Sequence, residues 1–125
     1  MEILGIDHLV LTVADIEATV SFYEKLGMRR ETFGGGRTAL RFGDQKINLH
    51  QRGAEFRPNA ARATPGSADV CFLLASPVED VVAALGGAGI AIEEGPVTRT
   101  GATATLVSVY VRDPDGNLIE LSRPR

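Results

Sequence analysis

The sequence has a single cysteine, no long apolar run and no concentration of basic residues, and each scarcity removes a class of protein. With Cys71 alone, the chain can form neither an internal disulfide nor a thiolate metal cluster. The longest apolar run, VCFLLA with its neighbours, is too short to span a membrane. The 13 Lys and Arg residues face 16 Asp and Glu, and no basic stripe follows a phosphate backbone, so nucleic acid is not an expected partner.

Phosphate-loop and dinucleotide-binding patterns are also missing. The glycine runs FGGGR and GGAG do not have the spacing or the strand-to-helix context that such loops need. The beginning, MEILGID, lacks the basic start and apolar stretch of a signal peptide. A chain of 125 residues with 44% hydrophobic residues fits one globular domain. We therefore expect a single cytoplasmic domain whose partner is a small molecule.

The order of predicted elements occurs twice. DHLVLTV is typical of a strand, Asp15 is a candidate N-cap, Gly27 ends the helix, and RRETFG, TALRF and KINLH follow as strands. In the second half, ADVCFLL predicts a strand and Ser76 and Pro77 a helix start. IAIEE, ATLVSVYV and NLIELS follow as strands, with GPVTRTGA as a loop and DPDG as a turn. The sequence predicts an α+β protein of two β-α-β-β-β modules, 4–50 and 67–123, joined by the linker 51–66.

Strand alternation places polar residues of the first, fourth, fifth and eighth predicted strands on the sheet face away from the helices. These groups are His8, Asn48 with His50, Asp69 and Glu120. The face is either a solvated surface or the lining of a pocket, and its apolar members favour the pocket. Imidazole and carboxylates without thiolates suit Zn, Ni, Mn or Fe(II).

DHLVLTVADIEATVSFYEKLGM, followed at a distance by DPDGNLIEL, resembles the vicinal oxygen chelate superfamily, which includes glyoxalases, bleomycin-resistance proteins and extradiol dioxygenases. ALRFGDQKINLH, PGSADVCFL and EEGPVTRTGA are similar to its small, virulence-protein-like branch. The resemblance implies curled mixed sheets that form a cleft, a homodimer and one divalent metal ion per site. It implies that His8 and Glu120 are metal ligands and that Glu120 is also a catalytic base.

Two positions depart from the family pattern. Asp69 stands where a histidine is common, and it remains a candidate oxygen ligand. Asn48 stands where glyoxalase I has a glutamate, so we expect it to face water or substrate. His50, on the same face, is an alternative metal ligand, a residue that lines the substrate end, or a surface histidine.

Two further residues are candidates for substrate binding. Tyr110 matches a substrate-contacting tyrosine of fosfomycin-resistance relatives, or else it fills the core. Arg99, in the predicted loop, is either a clamp for an anionic substrate or a solvated side chain.

Three functions remain open at this point. The first is a metal-dependent lyase or isomerase acting on a small molecule with adjacent oxygens. The second is a non-catalytic protein that binds or sequesters an antibiotic. The third is an extradiol dioxygenase, which would need His50 as a second histidine ligand.

Overall fold

The predicted repeat forms two units, each with one helix and four strands. The structure is a computed structural model that describes residues 1–125, divided into unit 1 (Met1–Ser67) and unit 2 (Ala68–Arg125). The elements of unit 1 are β1 (His8–Val13), α1 (Ile16–Lys25), β2 (Arg29–Phe33), β3 (Arg37–Phe42) and β4 (Gln45–Gln51). Those of unit 2 are β5 (Asp69–Leu73), α2 (Val78–Gly87), β6 (Glu94–Thr100), β7 (Thr105–Arg112) and β8 (Leu118–Pro124). The α+β class and the order of elements agree with the prediction.

Each unit has an open, mixed four-stranded sheet. The strand order is β1-β4-β3-β2 in unit 1 and β5-β8-β7-β6 in unit 2. The first and last strands of each unit are parallel neighbours, and the other pairs are antiparallel. The strands that carry the candidate site residues are therefore hydrogen-bonded partners within each unit.

The first helix begins and ends where the sequence predicts. The Asp15 carboxylate accepts hydrogen bonds from the backbone N–H groups of Glu17 (2.9 Å) and Ala18 (3.2 Å), which is N-capping. Gly27 follows the helix with φ of 97°, a conformation that favours glycine. Val20 and Tyr23 are buried against the sheet side, so the predicted apolar face is the packed one.

The second helix starts differently from the prediction. Pro77 is the N-cap, and no side chain caps the helix, so the expected capping role of Ser76 is wrong. The first turn carries Glu79 and Asp80, whose negative charges favour a helix N-terminus. Neither helix of the structure is long and apolar enough to cross a membrane.

Strand alternation sorts the side chains into a helix-facing core and an opposite face. The helix-facing positions of the central strands are almost fully buried; they include Leu40, Ile47, Leu49, Val109, Val111, Ile119 and Leu121. On the other face, alternate positions carry the polar residues that the sequence singled out. The core therefore fixes the direction in which every candidate residue points.

The edge strand of unit 2 is the main error of the sequence prediction. We expected IAIEE as the strand and GPVTRTGA as a loop, but β6 spans Glu94–Thr100. Its register with β7 shifts between Glu94 and Val97, and Gly95 has φ of 107°. A Cβ at Gly95 would lie 2.4 Å from the Ser108 carbonyl oxygen. Glycine at this irregularity lets a strand continue where the sequence indicates a turn.

The DPDG turn before β8 forms as predicted and is held by its own side chains. The Asp113 carboxylate accepts from the N–H groups of Asp115 (2.9 Å) and Asn117 (3.0 Å). The Asn117 amide donates to Asp113 at 2.7 Å and accepts from the Ala68 N–H at 2.8 Å. Both Asp113 and Asn117 are buried, so the turn fixes β8 beside β5.

Candidate functional site

Unit 2 contains a cavity of about 450 Å³ on the sheet face away from α2. This size suits a small organic molecule. Its walls come from β5, β6, β7, β8 and the β6–β7 connection, and they include Cys71, Leu73, Arg99, Leu106, Tyr110 and Glu120. Three of these residues were predicted from the sequence as site residues.

Glu120 lies half-buried in the cavity wall and is held by a hydroxyl network. The Ser122 hydroxyl donates to Glu120 Oε1 at 3.3 Å. The Ser108 hydroxyl lies 2.7 Å from Ser122 Oγ, and both serines are fully buried. Because the Ser122 proton points to the carboxylate, Ser108 donates to Ser122. The network orients the Glu120 carboxylate, and neither serine was predicted from the sequence.

Cys71 faces Glu120 across the β5–β8 pair. Its Sγ lies 3.2 Å from Ser122 Oγ. Burial raises the pKa of the Cys71 thiol, and the Glu120 charge acts in the same direction. The thiol therefore stays protonated near neutral pH, and it is a wall of the cavity rather than a nucleophile.

Tyr110 and Arg99 form one polar unit in the cavity wall. Arg99 Nε donates to the Tyr110 hydroxyl at 3.0 Å, and Nη2 donates to Glu94 at 3.2 Å. Arg99 lies on β6, so its predicted place in a loop is wrong. Burial raises the pKa of Tyr110, the Arg99 hydrogen bond lowers it, and the Glu120 charge raises it. The hydroxyl accepts from Arg99 and keeps its own proton, and a hydrogen bond to the neighbouring Glu120 carboxylate also raises its pKa.

His8 stands at the start of β1 in unit 1, on the face away from α1. Its Nδ1 lies 2.7 Å from Asp7 Oδ1, and 43% of its side chain is exposed. The hydrogen bond to His8 lowers the pKa of Asp7, so that carboxylate is ionised. A carboxylate that accepts from Nδ1–H leaves the Nε2 lone pair for another partner, as in metal-binding histidines. Asp7 was not predicted from the sequence, although its place beside His8 is a signal.

Asp69 is the first residue of β5 and is exposed. On β8, Leu118 pairs with Asp69, and Glu120 pairs with Cys71. Asp69 therefore lies two residues along the strand from the position opposite Glu120. The two carboxylates share a sheet face without lying directly opposite each other. No three His, Cys, Asp or Glu side chains form a group that could hold a metal ion in the structure.

Asn48 and His50 lie on β4 and are buried, with exposures of 6% and 2%. His50 Nε2 lies 3.4 Å from Arg37 Nη2. Burial lowers the pKa of His50, and the positive charge of Arg37 lowers it further. His50 is therefore a neutral interior imidazole rather than a surface histidine.

The superfamily assignment follows from a family comparison. Residues 5–121 match the model of the Glyoxalase/Bleomycin resistance protein/Dioxygenase superfamily. The chain belongs to this superfamily. The assignment agrees with the resemblance drawn from the sequence, and it covers nearly the whole of both units.

Two relatives are similar over most of their length. The virulence protein STM3117 of Salmonella typhimurium is 60% identical over 119 residues, which are 94% of this chain and 83% of that protein. The glyoxalase domain-containing protein RDO1 of Mycosarcoma maydis is 52% identical over 122 residues, covering 98% of this chain and 69% of that protein. The crystal structure of STM3117 superposes with a TM-score of 0.98 at 59% identity over 100% of both chains.

More distant structures share the fold alone. They include the antibiotic-binding protein TnmS3 of a Streptomyces species (TM-score 0.75, 23% identity, 100% of this chain and 99% of that one). They also include lactoylglutathione lyase of Agrobacterium tumefaciens (TM-score 0.72, 21% identity, 95% and 92%). The same fold therefore serves a binder and an enzyme, and function must be argued from the residues of this chain.

Proposed function

We propose that this protein is a metal-dependent enzyme of the lyase or isomerase type that acts on a small molecule with adjacent oxygens. The proposed metal ligands of unit 2 are Glu120 and Asp69, and the imidazole candidate of unit 1 is His8; each is a type of donor that a divalent cation accepts. The observation that carries the proposal is that hydrogen bonds already orient the side chains of His8 and Glu120. Asp7 directs the His8 Nε2 lone pair outward, and Ser122 orients the Glu120 carboxylate.

The chemistry divides between the metal and the residues of the cavity. A bound divalent ion would act as a Lewis acid toward the substrate oxygens. Glu120 is the one carboxylate in the cavity wall, so we assign it proton abstraction from the substrate in addition to binding. Tyr110, whose hydroxyl keeps its proton, is the hydrogen-bond donor to a substrate oxygen. Arg99 fixes the Tyr110 ring and brings positive charge to the same wall.

The same residues define what the cavity accepts. Leu73 and Leu106 form apolar wall, and the small residues between β6 and β7 complete it. A space of about 450 Å³ excludes polymers and large conjugates. We therefore propose a substrate of small-metabolite size that presents two oxygens to the metal and an apolar group to the leucines.

We also propose that the protein is a homodimer. Val10 and Leu73 lie on the faces that carry His8 and Asp69, and they are 44% and 65% exposed. Large apolar side chains on a site face favour coverage by another surface. Light scattering should give about twice the 13.3 kDa mass of the chain. A monomer at micromolar concentration would contradict this part of the proposal.

A non-catalytic binding protein is the second candidate. It is favoured by the lack of a preassembled group of three metal-ligating side chains and by the largely apolar cavity wall. An extradiol dioxygenase is less favoured, because it needs His50 as a ligand. The Arg37 guanidinium beside His50 Nε2 disfavours a cation there.

Thermal melting with and without metal separates the first two candidates. We expect added Mn or Zn to raise the melting midpoint of the wild type, by an amount that corresponds to about 2.7 kcal/mol at 100 times Kd. The rise should disappear in Glu120→Gln, which keeps the shape but loses the charge. Glu79→Gln, an exposed change on α2, is the matched control and should behave as the wild type. If the wild type binds no divalent ion, the binding-protein candidate replaces the enzyme.

A further inference from the structure

The face of unit 1 away from α1 carries buried polar atoms that have no partner. Asn48 Oδ1 and His50 Nδ1 are both buried, and neither makes a hydrogen bond. Both residues project from β4 to the same side, because they are two positions apart. An unpaired buried polar atom costs free energy, so Asn48 Oδ1 and His50 Nδ1 are two atoms on one surface that would gain from a hydrogen-bond partner.

The Arg37 side chain determines whether the unpaired His50 Nδ1 needs a hydrogen-bond donor or an acceptor. A guanidinium only donates, so His50 Nε2, 3.4 Å from Arg37 Nη2, is the acceptor. The single proton of the neutral ring then resides on Nδ1. The unpartnered Nδ1 is therefore a donor that needs an oxygen acceptor, whereas Asn48 Oδ1 needs a donor.

The surroundings of this pair are positively charged. The Arg37 guanidinium and the Lys46 ammonium both lie over the Phe33 ring, at 5.2 and 3.7 Å from its centroid, so the two cations are neighbours. Neither takes part in any of the five ion pairs of the chain. Three acidic residues of this region have partners of their own: Glu31 pairs with Arg41 at 3.0 Å, Asp7 with His8 at 2.7 Å, and Glu55 accepts from the Gly53 N–H. The Lys46 charge also acts on Asp7 and lowers its pKa. The two cations are thus available for an external anion.

A second aromatic side chain, besides Phe33, lies against Arg37 and His50. Phe56, from the segment between β4 and β5, makes an edge contact with the His50 ring at 5.6 Å between centroids. The Arg37 guanidinium stacks over its ring at 4.7 Å. Phe56 is 45% exposed, so it lies at the surface of this cluster rather than in the core.

We propose that this face of unit 1 binds a small hydroxy acid, with the carboxylate on Arg37, Lys46 and the His50 Nδ1–H, and the hydroxyl on Asn48 Oδ1. A carboxylate matches the flat fork of the guanidinium and accepts from the imidazole. The hydroxyl supplies the donor that Asn48 needs. This site requires no metal, so it stands independently of the proposed lyase or isomerase chemistry, and the proposal names the class of ligand that this face takes.

Calorimetric titration of the chelator-treated full chain tests the proposal. The probes are lactate, propionate and inorganic phosphate. Lactate should bind at least about tenfold more tightly than propionate, since propionate leaves Asn48 Oδ1 unpaired. Asn48→Leu should remove that preference. Phosphate binding tighter than lactate would assign the face to phosphate and overturn the carboxylate.

Charge variants complete the test. Arg37→Gln should weaken lactate binding at least about tenfold, because a charge-assisted bond is lost. Lys46→Gln is the second variant should Arg37→Gln fail to fold. The control is Arg30→Gln, which removes the same charge from the side where Arg30 pairs with Glu17. Equal losses in Arg37→Gln and Arg30→Gln, or no lactate binding by the wild type, would overturn the proposal.

A spectroscopic readout locates the ligand. The chain has 2 histidines, so the ring N–H signals of a ¹⁵N-labelled sample are assigned by one variant, His8→Gln. Lactate should shift the His50 Nδ1–H signal in the metal-free protein, and a shift confined to His8 would contradict the site. If the protein binds metal but not lactate, the result contradicts only the proposed site on unit 1. If it binds lactate but not metal, the result contradicts only the proposed metal-dependent function.

Discussion

The two units use the same strand positions for opposite chemistry. The β3–β4 pairing of Ala39 with Asn48 corresponds to the β7–β8 pairing of Tyr110 with Glu120. In unit 1 that row carries a neutral amide. In unit 2 it carries a carboxylate beside a phenol. One backbone arrangement therefore carries a neutral amide at this position in unit 1 and a negative charge in unit 2.

The next row of each sheet continues the contrast. In unit 1, the corresponding residues are Arg37 and His50, with Arg37 Nη2 lying 3.4 Å from His50 Nε2. In unit 2, the corresponding positions are Ser108 and Ser122, whose hydroxyls donate toward Glu120. The difference lies in two rows of side chains on strands whose helix-facing residues are alike.

The row on the other side of Asn48 and Glu120 has an arginine–glutamate pair in both units, although Arg41 lies opposite Lys46 and Arg112 opposite Leu118. Arg41 pairs with Glu31 at 3.0 Å, and Arg112 pairs with Glu93 at 3.0 Å. Each pair joins the third strand of its unit to the edge strand or to the residue just before it. Because these pairs are half-exposed, each contributes about 0–1 kcal/mol. The repeated row is structural, and the differing rows are where function has diverged.

The edge strands provide the most severe test of the comparison. Gly95→Ala in β6 would place a Cβ 2.4 Å from the Ser108 carbonyl oxygen at a φ of 107°. We expect destabilisation of at least about 3 kcal/mol, from the backbone clash and the conformational strain together. Chemical denaturation measures it. Gly35→Ala in unit 1 has open space and φ of 74°, so it should cost only about 1–2 kcal/mol. Equal losses would mean that the two edges do not differ.

The orienting residue of unit 1 is the next test. Asp7→Ala should lower Mn or Zn affinity about 10–100-fold if His8 is a ligand, because the ring loses the partner that holds Nδ1. Calorimetric titration of the metal measures it. Asp44→Ala removes the same charge from the exposed turn between β3 and β4 and should leave the affinity unchanged. An equal effect of both would show general electrostatics rather than orientation.

The fold was predictable because its signals are local. Asp15 and Gly27 mark the ends of α1, and the alternation of Ile47 and Leu49 with Asn48 assigns the faces of β4. Such patterns depend on neighbouring residues only. The start of α2 was less certain, because Ser76 has the right residue type but makes no cap.

The candidate site was predictable only in part. His8, Tyr110 and Glu120 were identified by position, but the strand β6 was misplaced because Gly95 and Pro96 are turn signals in any sequence window. The environment of His50 depends on Arg37 across the β3–β4 pair and on Phe56 from the linker. Neither contact follows from spacing along the chain, so the burial of His50 required the structure.

The hydroxyl pair of unit 2 gives a smaller, quantitative test. Ser108 and Ser122 are buried with 2.7 Å between their oxygens. Either single change to Ala should cost about 1–2 kcal/mol, because the remaining hydroxyl loses a partner. The double variant should cost less than the two singles together, since no hydroxyl is then left unpaired. Additive losses in denaturation experiments would show that the serines act separately.

The smallest expected effect concerns pH and unit 1. Burial and the Arg37 charge lower the pKa of His50 below its ordinary 6.5, while Glu55 opposes them. The unfolded chain therefore binds a proton more readily than the folded chain between the two pKa values. The contribution to stability is complete above pH 6.5 and is lost as the pH falls from there through the folded-state pKa.

The free energy of unfolding should decline between pH 7.5 and about 5.5, a range above the ordinary pKa values of carboxylates. His50→Gln should remove most of that decline, because no ring is left to protonate, and His8→Gln should leave it in place. An unchanged slope in His50→Gln would mean that the His50 ring is protonated as readily in the folded chain as in the unfolded one. That result would refute the neutral state of the His50 ring, on which the proposed ligand site of unit 1 depends.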